Sequence, residues 1–253
     1  MKIAIDAGHG PETAGKRSPD GSLREFHFNN PTAKMVAQLL AGYEGVETIF
    51  THATDGSRDV PLKERTDKAN AWGADVLISI HANASGDGWS SAEGIETFTY
   101  TAPSTASVKP AKAVQAALIA ATGLRDRGVK QGNLHMVREA RMPAILVECG
   151  FMTHRQEVEL LKSDAYQLKC ATAIVVGIAA VYGLRQKREE ESNVEKKTAF
   201  KDVPSEHWAE DSIAVAVKSG LITGLSADTF GLGQPVTREQ LCVILDRAGL
   251  LSK

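Results

Sequence analysis

VLISIHAN, residues 76–83, sets five strand-forming positions directly ahead of His81 and Asn83. KIAIDAGHG, residues 2–10, has the same layout, an apolar run breaking into Asp6, Gly8, His9 and Gly10. AILVECG, residues 144–150, repeats it with Glu148 and Cys149 at the break. Short β-branched runs bounded by turn residues read as strands, and VETIFTH (46–52) and GIETFTYT (94–101) add two more. Between them lie helical patterns over 31–43, 62–72, 108–122 and 164–182; Met35, Val36, Leu39 and Leu40 form one stripe of the first, and Pro61 suits the first turn of the second. Strands alternating with helices predict an α/β fold, a mainly parallel twisted sheet flanked by helices.

In a parallel sheet the three polar endings fall along one carboxyl edge, where ligands of open α/β sheets bind. Two histidines and a carboxylate, remote in sequence, are therefore expected to converge. Two imidazoles and a carboxylate suit zinc, which takes three protein ligands and keeps an open position in hydrolytic sites. A further carboxylate at that position accepts a proton from the attacking water. The residues alone leave Glu12, Glu25 and Glu148 competing for the metal.

The remainder of the chain bounds the reading. Its 253 residues are 43% hydrophobic and 24% charged, as in ordinary globular proteins. A net charge of −2 carries no polyanion-binding signal, so nucleic acid is not an expected partner. Cys149, Cys170 and Cys242 are far apart, without metal-ligand spacing, and read as buried, reduced thiols. The longest apolar run, 170–184, is shorter than the ~20 residues that span a bilayer; it reads as a buried helix, and no membrane partner is expected. MKIAIDAGHG enters a strand at once with no export pattern, so synthesis as a cytoplasmic chain is expected.

Composition changes after residue 183. Residues 184–199 (LRQKREEESNVEKKTA) are dense in both signs of charge and read as a linker. Residues 200–253 form a small unit with a helix near 211–219, a turn at Gly231 and Gly233, and a second helix. Thr237 and Gln240 have the capping-box spacing for that helix. A unit so small holds a thin core and leans on the first domain or on a second chain, which leaves room for a homodimer.

IDAGHG, GSLRE, ERTDKANAWGAD, ISIHAN and DRGVKQGNLHMVREARMPAILVECGF, followed by a long helix, occur in order across residues 1–183. This set resembles the zinc-dependent N-acetylmuramoyl-L-alanine amidases shared by sporulation autolysins and phage endolysins. The resemblance implies a sheet of about six strands, one Zn2+ bound by His9, Glu25 and His81, and Glu148 as catalytic carboxylate. It implies peptidoglycan as substrate, with cleavage between the lactyl group of N-acetylmuramic acid and L-alanine. A chain made in the cytoplasm would then reach the wall after holin-type release or cell lysis. FKDVPSEHWAEDSIAVAVKSGLITG (200–224) and TFGLGQPVTREQLCVIL (229–245) resemble a single S-layer homology repeat, with Gln240 departing from the commoner pattern after TRE. That implies binding of a secondary cell-wall polymer, with Trp208 and Arg238 as contacts, unless the unit serves only dimerisation or packing.

Other classes are kept in view. They are a non-catalytic wall-binding protein on the same fold, and a cysteine hydrolase using Cys149 with His81 as base. A nucleotide-binding reading of GHGP lacks both GxGxxG and Walker patterns. Asp6 is expected to orient a neighbour, Arg65 and Asn70 to make structural hydrogen bonds, and His135 to be either a substrate contact or a surface residue. His27, His52, His154 and His207 are expected to be solvated.

Overall fold

All five apolar runs become strands and a more polar sixth joins them in the computed structural model, which describes residues 1–102, 104–187, 200–205, 207–248 and 250–251. The strands are β1 (Lys2–Ala7), β2 (Glu47–Phe50), β3 (Val76–Asn83), β4 (Ile95–Thr99), β5 (Asp126–Gln131) and β6 (Ala144–Phe151). They form one sheet in the order β2-β1-β3-β6-β4-β5. The first four in that order run parallel, while β4 is antiparallel to β6 and parallel to β5. The sheet is thus mostly parallel and strictly mixed. The expected α/β class is the observed one.

The helices of this unit are α1 (Glu25–Leu40), α2 (Leu62–Trp72), α3 (Thr105–Thr122), α4 (His135–Arg138), α5 (Arg155–Leu161) and α6 (Asp164–Tyr182). Side chains alternate across a strand. Ile3, Ile5, Ile78, Ile80, Ile145 and Val147 face the main core, with Val36 of α1, Val114 of α3 and Ile174 of α6. Ala4, Leu77 and Leu146 face a smaller cluster with Ala69 of α2 and Met136 of α4. Burial on both faces explains why the central strands read as continuous apolar runs. Each fully buried Ile or Leu contributes about 1.5–3 kcal/mol.

By length and composition α6 passes for a membrane span, with a mean hydropathy of 1.4. It is instead a packing helix, with Cys170, Ala171, Ile174 and Ile178 wholly buried. Gly177 brings it against α3, since a Cβ there would lie 2.7 Å from the Cα of Val114. The expected linker begins later than position 184. Glu44 N–H donates to the Arg185 carbonyl (2.9 Å) and Lys187 N–H to that of Gly42 (2.7 Å), so the first unit runs to Lys187. The rest of the expected linker, 188–199, lies outside the described residues.

From residue 200 the second unit carries α7 (Glu210–Lys218) and α8 (Arg238–Arg247). Its organising group is the Asp202 carboxylate, which accepts from the backbone N–H groups of Phe230, Gly231 and Leu232 at 2.7–3.1 Å. Thr237 and Gln240 close the expected capping box. The core is thin, with Val203 and Ile213 buried and no buried residue on α8. Cys149 and Cys170 are buried as expected, whereas Cys242 is exposed on α8, a helix with no fully buried residue.

Candidate metal centre

The site is built first around a buried ion pair. Asp6, at the end of β1, accepts from Thr51 Oγ1 (2.6 Å), Ser79 Oγ (2.7 Å) and Arg65 Nη1 (2.9 Å). Burial pushes its carboxyl up, but the Arg65 guanidinium and the two hydroxyls outweigh it and hold it below the usual range. Arg65 also donates to the carbonyls of Ala7, His9 (2.8 Å) and Val60 (2.7 Å), and to Asp59 (3.0 Å). It thereby clamps the turn in which His9 takes a left-handed backbone, φ +64°, unusual for a residue with a Cβ.

That turn delivers His9 to two other elements. His9 Nε2 lies 3.2 Å from Glu25 Oε2, and His81 Nδ1 lies 3.0 Å from Glu25 Oε1. The two rings stand perpendicular with centroids 5.1 Å apart. Glu25 is the first residue of α1, six positions before the helix expected from the sequence, so Pro31 falls inside it. Asn29, one turn further, donates to both Glu25 Oε1 (3.2 Å) and the Gly8 carbonyl (3.0 Å). Gly8 has no room for a side chain, because a Cβ would lie 2.1 Å from the His81 ring.

One ligand atom from each of His9, Glu25 and His81 falls within 4.8 Å of the others. Bonds of 2.0–2.1 Å in a tetrahedral shell place ligand atoms ~3.3 Å apart, close to the two contacts found. Burial pushes His9 down to about 4, keeping it neutral, the form that binds a cation. Burial opposes charge on His81 too, but the hydrogen bond and charge of Glu25 prevail and raise it. Burial likewise opposes charge on Glu25, and the two histidines hold it low. The donor set and spacing fit a divalent ion of zinc type.

Glu148 pairs in register with His81 across β3 and β6. Its Oε2 is buried and has no hydrogen-bond partner among the described residues. Burial pushes this carboxyl up to about 8, with His81 pulling down and Glu25 and Glu96 pushing further up. An orphaned buried oxygen of this kind calls for a functional account.

The competing residues lie elsewhere. Glu12 is exposed and pairs with Arg24 (3.4 Å). Cys149 points into the main core, where the Cys170 thiol and burial push its own thiol well up. A cysteine nucleophile needs the opposite environment, so that alternative is withdrawn. His135 Nε2 meets Thr66 Oγ1 at 3.2 Å in a polar cleft of about 350 Å3 with Lys63, Asp67, Asn70, Glu139 and Arg141. Asn70 is structural, donating to the Glu139 carbonyl (3.0 Å) and accepting from Arg141 N–H (2.9 Å).

His27 is exposed as expected, while His52 is buried. His52 Nδ1 accepts from Ala7 N–H (3.0 Å) and its Nε2 meets Asn30 (3.1 Å), so it braces the metal-site turn. Asn29 was also missed, although its position four after Glu25 marks a shared helical face.

The model of the N-acetylmuramoyl-L-alanine amidase family matches residues 3–180. The chain belongs to this family. The amidase CwlM of Bacillus licheniformis is 32% identical over 185 residues, 73% of this chain and 70% of its own. The endolysin of Bacillus phage SPP1 is 31% identical, covering 73% and 67%. The crystal structure of the N-acetylmuramoyl-L-alanine amidase from Clostridium difficile 630 superposes on 72% of this chain and 97% of its own, with a TM-score of 0.69 and 34% identity. This amidase carries a second match, an S-layer homology domain over residues 199–242. There Trp208 is 90% exposed and so does not fill the small core, and Arg238 opens α8.

Proposed function

We propose that this amidase hydrolyses the amide between the lactyl carbonyl of N-acetylmuramic acid and L-alanine in peptidoglycan, with one Zn2+ on His9, Glu25 and His81. The supporting observation is the His9–Glu25–His81 cluster together with the buried, unpartnered Oε2 of Glu148, the cross-strand neighbour of His81. When bound, zinc supplies Lewis-acid polarisation and lowers the pKa of water. Glu148 orients the attacking water and takes its proton on the free Oε2. It then passes that proton to the departing nitrogen, so a carboxylic acid and a free L-alanyl amine leave. This carboxyl, which burial above all pushes up to about 8, would be drawn back by a bound cation toward the ionised form that accepts a proton. Arg65 and His52 hold the His9 turn while this occurs.

Digestion of purified Gram-positive walls tests the reaction. New amino groups with L-alanine at the N-terminus, without new reducing ends, and lost on chelation, are the expected result. No amine release from several wall types would move the chain to a non-catalytic wall-binding role.

The second unit is proposed to hold the enzyme on a secondary wall polymer. Support comes from the bare Trp208 and from an apolar groove of about 370 Å3 that includes Leu225, Phe230, Val236 and Val243. Trp208→Ala in the full chain is expected to reduce co-sedimentation with walls severalfold; undiminished sedimentation would assign the unit to self-association.

A further inference from the structure

Glu148 stands in a row of charged side chains that continues past the metal centre. Across β3, β6 and β4, His81 pairs with Glu148 and Glu148 with Glu96, so all three project from one face of the sheet. Glu96 is 5% exposed and its carboxylate is fully engaged. Its Oε1 accepts from Asn83 Nδ2 (2.7 Å), and its Oε2 accepts from Arg127 Nε (2.6 Å) and Lys130 Nζ (2.5 Å).

Residues three apart on a regular strand point to opposite faces. Here the register slips between Ile95–Asp126 and Thr97–Val129, a bulge of one residue on β5, with Gly128 at φ +78°. The bulge turns Arg127 onto the face that Lys130 already occupies, a re-aiming typical of bulges beside functional sites. The Arg127 guanidinium also lies over the Phe151 ring at 4.8 Å, which fixes it near the end of β6.

Two cations share one carboxylate, leaving one excess positive charge. Among the described residues Lys130 uses one of its three donors, and Arg127 donates only to Glu96 and weakly to the Glu93 carbonyl (3.4 Å). Their side chains remain 39% and 26% exposed on the edge strand of the sheet. β5 lies two strand spacings from β6, ~10 Å at 4.7–4.9 Å each. An extended peptide covers ~3.3–3.6 Å per residue, so a carboxylate two or three residues beyond the scissile amide reaches this pair.

We infer that Arg127 and Lys130, turned to one face by the β5 bulge and anchored on Glu96, form a subsite for a carboxylate of the leaving peptide. The inference rests on the proposed amide hydrolysis and deepens it by adding a preference for acidic stems. A carboxylate there forms an ion pair with the excess positive charge, which a neutral carboxamide cannot, although both accept hydrogen bonds from the two cations.

The test uses the full chain and two pairs of synthetic ligands, free L-alanyl tripeptides and the matching muramoyl tripeptides. Members of a pair differ only in a carboxylate or carboxamide on the second residue. The acidic tripeptide is expected to bind about tenfold more tightly, the order of one partly screened pair of unit charges. Lys130→Met, in which Arg127 still neutralises Glu96, should reduce that preference to threefold or less, and Lys130→Arg should restore it. The same preference should appear in kcat/KM for the muramoyl pair. Equal binding of both tripeptides, or a preference unchanged in Lys130→Met and in Arg127→Gln, overturns the subsite. Retained binding preference with no hydrolysis of either muramoyl peptide would instead remove the proposed reaction and leave carboxylate binding standing.

Discussion

Glu148→Gln is expected to lower amide hydrolysis by about three orders of magnitude, the middle of the range for a general acid–base group, while zinc remains bound at full stoichiometry. Glutamine keeps the shape of the side chain and cannot take up the proton of the attacking water. The His9–Glu25–His81 contacts do not involve Glu148, so the metal has no reason to leave. Metal content by atomic absorption and amine release from walls, measured on one preparation, decide the matter. Activity within tenfold of the parent would end the assignment.

The chelated protein offers a second reading of the same variant. A carboxyl held near 8 when folded and near its ordinary 4.5 when unfolded binds more protons in the folded state. The contribution of Glu148 to the stability of the parent therefore declines as pH rises from 4.5 to 8, and Glu148→Gln should lack that component. Thermal melts of both chelated proteins at pH 5 and pH 8.5 should diverge, with the variant melting higher at the upper pH. Parallel curves would mean that Glu148 is better solvated than its position indicates.

Arg65→Met should cost about 3–5 kcal/mol of stability, the usual penalty when one partner of a buried ion pair is removed. Asp6 and Arg65 side chains are each 1% exposed, so the abandoned Asp6 carboxylate has no access to water. Asp6 has Thr51 and Ser79 left, but neither carries charge. The variant also releases the carbonyls of Ala7 and His9, so zinc affinity should drop with stability. Adding Asp6→Asn to Arg65→Met should recover part of the loss in urea unfolding, because the stranded charge is gone. A loss below 1 kcal/mol in the single variant would show that water reaches the pair.

The central strands and the convergence of His9, His81 and a glutamate were legible because a parallel sheet makes its strand endings neighbours. Burial on two faces leaves a simple signature, an apolar run that stops at a polar residue. The residues alone did not choose among the three glutamates. Glu25 lies at a helix start where Arg24 provides no side-chain cap, and Pro31, a common first-turn residue, pulled the expected start past it. β5 was obscure for a related reason. DRGVKQ sits at an open edge, and its bulge abolishes the alternation by which a half-buried strand is recognised. His52 follows β2, and its burial comes from its contacts with Ala7 and Asn30, partners that only the folded sheet reveals. Cys242 sits in an apolar stretch that would be core in most proteins, and here the unit is too small to cover it.

His9, Glu25 and His81 come from the turn after β1, the start of α1 and the end of β3. An ion held by all three is a cross-link between positions 9, 25 and 81, and the unfolded chain has no comparable anchor. Its binding energy is then shared with folding. Under the proposed zinc assignment, free zinc would set two things at once, how many molecules are competent and how large a share of them is folded.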